Sequence, residues 1–259
     1  MNKPSNLSDT RLKSLIHQKV HYIEKGLNAE KESDFVLMIW ARKLYFEALK
    51  RSLLSQEENE WCNRILLGKQ TELIYSLNKN DDNEFAKIVR GRRSVRFWQA
   101  KRLKEKEFEQ LVDSARYAPS SCNRQPCYFI LTGDTNKIKL LSEARGQKFV
   151  KNAPNCILVL INTEIFDKQE VTYTPYLDAG AAIENLLLKS QTLGLGACWV
   201  NFGKREVPES KRREVMAAFK IPEYYEIISI IPIGIPERVP LPPGRKSISD
   251  ISNLEEFRK

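Results

Sequence analysis

The chain has 259 residues, 42% hydrophobic and 29% charged, with a formal net charge of +9. This composition suits an ordinary globular protein of one or two domains and contains no low-complexity tract. No apolar run reaches membrane-spanning length: the longest stretches, CILVLI and IISIIPIGI, suit buried strands.

The opening MNKPSNLSDTRLKS holds no apolar signal-peptide core, so a cytoplasmic location is expected. Cys62, Cys122, Cys127, Cys156 and Cys198 are odd in number, form no CxxC and fit no zinc module; reduced thiols are expected.

Helical periodicity dominates residues 9–85. SDTRLKSLIHQKVHYIEKG opens at Ser8 or Asp9 and stops at Gly26, with Leu12, Leu15, Ile16, Lys19, Val20 and Ile23 on one face. A second helix runs from Ser33-Asp34 through FVLMIWARKLYFEALKRSLL, and a third covers EENEWCNRILLG. TELIYSLNK suggests a fourth, and the polar NKNDDNE marks a boundary. His17, His21 and Glu24 are spaced as metal ligands on one helix face could be. No second ligating element is evident, so packing is the simpler reading and no metal is expected.

From about residue 86 the pattern becomes mixed. KEKEFEQLVDSARYA reads as a helix stopped by Pro119, CYFILTGD as a strand, TNKIKLLSEA as a helix and NCILVLINT as a strand. TPYLDAGAAIENLLLKSQTLG reads as a long helix burying Ala179, Ala182, Ile183, Leu186, Leu187 and Ser190, with Gly194 as its C-cap. GACWVNF is expected to be a strand, PESKRREVMAAFK a helix opening at Pro208, and YYEIISIIPIGIP a long strand. A Pro-rich tail and a short final helix follow. The domain reading is therefore 1–85, helical, and 86–259, mixed.

Charge and histidine are both unevenly placed. Residues 1–85 balance acid against base, so the whole excess of +9 belongs to residues 86–259, which contain no histidine. Ser-His-Asp and Cys-His mechanisms are excluded from that half unless the N-terminal part supplies the base. An enzyme there would draw its chemistry from a bound cofactor.

Four stretches of that half carry candidate chemistry. Arg92, Arg93, Ser94 and Arg96 offer guanidinium forks beside a hydroxyl, which suits a terminal phosphate; on spacing alone they also fit a solvated basic turn. The charge is concentrated at one point and the aromatics are adjacent, which disfavours nucleic acid. APSSCNRQP is a rigid polar loop suited to a heterocycle or an ordinary turn. Gly194 and Gly196 in LGLGACWVNF permit close backbone approach but follow a helix, unlike a dinucleotide fingerprint. PPGRKS adds Arg245 and Lys246 after a Pro-Gly turn.

Taken together and in order, RRSVRFW, APSSCNRQPCYF, DAGAAIENLLLKSQTLGLGACWV and PIGIPE…PPGRKS resemble the nitroreductase family, from about residue 86 to the end. The resemblance implies an α+β sandwich, a mostly antiparallel sheet wrapped by helices, in a homodimer with FMN at its interface. It implies that Arg92, Arg93, Ser94 and Arg96 hold the FMN phosphate and ribityl chain, joined by Arg245 and Lys246. It places Pro119, Ser120, Ser121 and Asn123 against the partner subunit's flavin, and Gln147 at the pyrimidine edge. The backbone N–H groups of Asn201 and Phe202 fall near flavin N5. The implied activity is a ping-pong oxidoreductase passing hydride from NAD(P)H to a small electron-poor acceptor, with no nucleic-acid or membrane partner. A tailoring dehydrogenase of a biosynthetic pathway and a non-catalytic flavin-binding protein are the alternatives. Cys127 departs from the large aromatic found in many members, and residues 1–85 are an addition to the compact family fold.

Overall fold

A computed structural model describes residues 3–7, 9–28, 35–68, 84–121, 124–164, 166 and 172–257. The expected helix at TELIYSLNK lies outside these residues, as do the side chains of His17 and His21. The chain divides into two compact units, Met1–Lys79 with Leu241–Lys259, and Asn80–Pro240.

The first unit packs α1 (Asp9–Asn28), α2 (Phe35–Lys50) and α3 (Gln56–Leu67) around one apolar core. Leu12, Ile16, Val20 and Ile23 face inward from α1, meeting Leu44 and Tyr45 of α2 and Trp61 and Leu66 of α3. Leu15 and Lys19, on the edge of the expected face, are half-buried. α3 starts at a capping box: Ser55 Oγ accepts from Glu58 N at 3.2 Å, and Glu58 Oε2 accepts from Ser55 N at 2.8 Å.

The C-terminal tail belongs to this unit by its contacts, although its sequence reads on from the strand that precedes it. Arg64 Nη2 donates to Pro242 O at 2.7 Å, and Ser55 Oγ donates to Arg245 O at 3.2 Å. A Cβ at Gly244 would meet the Trp61 Cβ at 2.7 Å, so only glycine lets the tail lie this close. Lys13, itself buried, pairs with the fully buried Glu58 at 3.3 Å and with Asp250 at the short final helix, Ile248–Ile251.

In the second unit α4 (Glu84–Gly91) and α5 (Glu105–Arg116) precede β1 (Cys127–Thr132), α6 (Thr135–Arg145) and β2 (Asn155–Asn162). Then come α7 (Thr174–Thr192), β3 (Gly196–Ala197), β4 (Val200–Asn201), α8 (Glu209–Ala218) and β5 (Tyr225–Gly234). The strands form one antiparallel sheet in the order β1-β2-β5-β3, with β4 also on β5. β2 is buried on both faces, as its unbroken apolar run dictates. Its Leu158 and Leu160 meet α6 and α8 through Leu141 and Val215, and its Ile157 and Val159 meet α5 and α7 through Leu111 and Ile183. The result is a helix–sheet–helix sandwich of the expected α+β class.

α7 buries every residue of its expected face, and Gly194 closes it at φ +68° while Leu195 N bonds Ser190 O at 2.9 Å. Two expectations are corrected. GACWVNF is two short strands, because the break at Cys198-Trp199 faces Pro232 on β5, which has no N–H to give the ladder. The first helix does not stop at Gly26 but runs on to Asn28. The residues just before the arginines form α4, a helix with no buried residue.

Burial alone would push the Asp250 carboxyl up, but the Lys13 ammonium and the Ser247 hydroxyl and N–H bring it below its ordinary 3.8. A depressed carboxyl stabilises the fold fully above that ordinary value and loses its contribution as pH falls through the lowered folded value. Proteolytic cleavage of the tail is therefore expected to accelerate below about pH 4 and to stay flat between about pH 5 and 8 in the same assay; acceleration that begins near neutrality would contradict the Lys13–Asp250 tether.

Candidate cofactor site

The arginine segment is built into the sheet edge. α4 ends where Arg92 N bonds Ile88 O at 3.0 Å, and a Cβ at Gly91 would lie 3.0 Å from Gln191 Nε2 of α7. Beyond it the chain runs parallel to β3. Ser94 bridges Ala197, Val95 N donates to Ala197 O at 3.0 Å, and Trp98 Nε1 donates to Gly196 O at 2.7 Å. Gly196 makes this approach possible, since a Cβ there would stand 2.6 Å from Val95 Cγ2.

The segment spreads its cations unequally. Arg92 Nε lies 3.7 Å from Glu184 of α7, and Arg93 Nη1 donates to Arg92 O at 2.8 Å and also to Arg90 O. Arg96 is only 8% exposed; its Nη1 donates to Ser94 O at 3.2 Å, and its guanidinium lies 5.5 Å from the Phe149 ring centroid. Its Nε is buried and has no hydrogen-bond partner among the described residues. A buried cation with a spare donor, beside a half-buried serine, is a site whose chemistry calls for an anion.

Residues 145–149 draw further candidates to the same place. Phe149 touches Arg96 and stacks on Trp98 with ring centroids 6.3 Å apart, while Arg145 Nε donates to Asn201 O at 2.6 Å. Gln147, half-buried, lies between these two anchors, its backbone bonded both ways with Ser142. Arg145 and Phe149 were not found from the sequence, because both act through partners distant in the chain. Phe202 differs from expectation: its side chain is fully buried and its N–H is spent on Ile228 O at 2.9 Å, so that amide is not open to a ligand. Asn201, by contrast, is exposed on β4.

Pro119, Ser120 and Ser121 are tied to the other end of α7, where Asp178 accepts from Ser121 N with both carboxylate oxygens at 3.1 Å. Asp178 and Gln191 stand about 20 Å apart along the helix at 1.5 Å per residue. Asn123 lies outside the described residues. Cys127 sits behind the turn and lines a cavity of about 310 Å³ with Phe108, Val112, Phe129 and Ala182. Burial first, and then the Asp178 charge, push its thiol up to about 12. Arg245 is exposed and Lys246 half-buried, both in the first unit.

Comparison with known proteins follows the same blocks. The profile described as the Nitroreductase family matches residues 89–153 and 139–235, more than half of the chain. An Archaeoglobus fulgidus protein provisionally named NADH dehydrogenase/NAD(P)H nitroreductase is 31% identical over 157 residues, covering 60% of this chain and 86% of that one. The Bacillus subtilis FMN reductase [NAD(P)H] is 25% identical over 170 residues, covering 60% and 66%. The solved FMN-dependent nitroreductase of Clostridium difficile R20291 shares the fold, with a TM-score of 0.56 at 24% identity over 66% of this chain and 99% of that one.

Gly196→Ala is expected to force Val95 and the Ser94–Arg96 segment off the sheet edge, at a cost of about 1–3 kcal/mol. Urea denaturation monitored by Trp fluorescence measures it; an unchanged midpoint would show that the edge yields without cost.

Proposed function

We propose that this chain, which belongs to the nitroreductase family, is an FMN-dependent oxidoreductase that draws hydride from NAD(P)H and passes it to a small electron-poor acceptor such as a nitro compound, a quinone or an enone. The observation that carries the reading is Arg96: a guanidinium buried at the sheet edge whose Nε has no partner among the described residues, within a segment that also offers Arg92, Arg93 and Ser94. Those residues fit the phosphate of FMN. One short stretch supplies several charge-assisted donors, and the low exposure of Arg96 strengthens its bonds.

When bound, FMN supplies the two-electron chemistry that no side chain of the histidine-free residues 86–259 offers. The protein's part is position and charge. Arg92, Arg93, Ser94 and Arg96 anchor the phosphate end. Gln147 serves the pyrimidine edge, fixed by the backbone bonds on either side of it. Asn201 presents backbone near the reactive ring atoms, and Arg145 holds its carbonyl. NAD(P)H and the acceptor use the open face in turn, the nicotinamide product leaving before the acceptor enters.

A homodimer completes the reading. Phe85 and Val89 of α4, and Tyr173 and Leu177 at the start of α7, are large apolar side chains left exposed on this unit. A second copy would cover them and bring Pro119, Ser120 and Ser121 to the partner subunit's flavin. The location proposed is the cytoplasm; no helix among the described residues is long and apolar enough to cross a membrane.

The purified protein is expected to be yellow and to bleach under anaerobic NADH or NADPH. An Arg92→Ala, Arg96→Ala double variant is expected to bind FMN at least about 100-fold more weakly, since two charge-assisted contacts are removed. A folded double variant that retains full FMN would defeat the phosphate clamp, and a flavin that neither nucleotide reduces would defeat the activity.

A further inference from the structure

We infer that Asp178 is a positioning residue for the flavin ring, acting through the turn that carries Ser120 and Ser121; the inference rests on the reading above. Asp178 stands on the buried side of α7, 8% exposed, four residues before Ala182 and eight before Leu186, both buried. A carboxylate at that depth is costly unless it is hydrogen-bonded. No ion pair among the described residues includes it; its recorded hydrogen bonds come from one backbone N–H, that of Ser121, shared by both oxygens at 3.1 Å. Carboxylate and turn are thus locked together: if the turn moves, a buried charge loses its donor.

The lock determines what the turn can offer a ligand. Gln125 N donates to Ser120 Oγ at 2.9 Å, Arg124 Nη1 donates to Ser121 Oγ at 3.3 Å, and Arg124 N closes the turn on Ser121 O at 3.1 Å. Gln125 holds a left-handed φ of +49°, a conformation that a non-glycine residue keeps only where its surroundings impose it. Both hydroxyl oxygens therefore accept from this segment, which leaves each hydroxyl hydrogen available as a donor. Two hydroxyl donors held by these bonds match the carbonyl and ring-nitrogen acceptors of a flavin, and they are neutral, as suits the uncharged ring rather than the phosphate.

The ring and phosphate contributions separate experimentally, because riboflavin lacks the phosphate. Affinities for FMN and riboflavin are measured by flavin fluorescence quenching on wild type, Asp178→Asn, Asp178→Ala, a Ser120→Ala, Ser121→Ala double variant and Arg96→Ala. The expected result is that Asp178→Ala weakens both flavins by the same factor, about tenfold or more. Asp178→Asn, which keeps one acceptor oxygen, is expected to fall between it and wild type. The FMN-to-riboflavin ratio should hold in both. A folded Asp178→Ala protein that binds both flavins as wild type does would overturn the inference, as would a loss confined to FMN. Should the Asp178 variants fail to fold, the double serine variant decides: it leaves the Ser121 N–H bond intact and is expected to weaken both flavins equally, and unchanged affinity overturns the inference. Arg96→Ala tests the parent reading separately, since it should lower the ratio; an unchanged ratio there defeats the phosphate clamp and leaves the Asp178 result standing.

Discussion

A side chain is missing at residue 196, and that absence lets a row of arginines run along the sheet edge. Any Cβ there would collide with Val95. Without one, the segment from Arg92 to Trp98 closes against β3 through backbone bonds, and Arg96 is carried below the surface onto Phe149. Burying a guanidinium whose Nε has no partner among the described residues is unfavourable by itself. The cost makes physical sense if an anion completes the set, because a donor already ordered and desolvated loses little more on binding. The site thus follows from one close approach of two backbones.

α7 is the second constraint. Its middle and end receive Gly91 and Arg92, and its first turns hold the Ser121 N–H through Asp178. The helix is long and buries one continuous face on the sheet, so the arginine segment and the serine turn are spaced by a rigid element. A flavoenzyme, whose chemistry is the cofactor's, depends on such spacing, since position is most of what the protein supplies. The first unit has its own logic: helices around an apolar core, with the C-terminal tail tied down by Lys13, Ser55, Arg64 and the fit of Gly244 to Trp61.

Much of this was legible in the sequence, for local reasons. The face of α7 and its Gly194 stop follow from 3.6-residue periodicity, and β2 and β5 from continuous apolar runs bounded by turn residues. What escaped depends on partners far along the chain. The break between β3 and β4 is imposed by a proline on the opposite strand. Arg145 and Phe149 look like ordinary surface and core residues until they meet Asn201 and Arg96. The Phe202 amide seemed open to a ligand because nothing local reveals that Ile228 takes it. Asp178 did leave a signal, a lone acid on the buried row of an apolar helix, which is costly enough to ask for a reason.

The central claim is that the buried arginine segment exists to hold one phosphate. The most direct test is the ratio of FMN to riboflavin affinity in the unaltered protein. The account predicts that FMN binds at least about 100-fold more tightly, as several charge-assisted contacts to a phosphate require, and that added salt erodes the advantage. Equal affinity for the two flavins would contradict it.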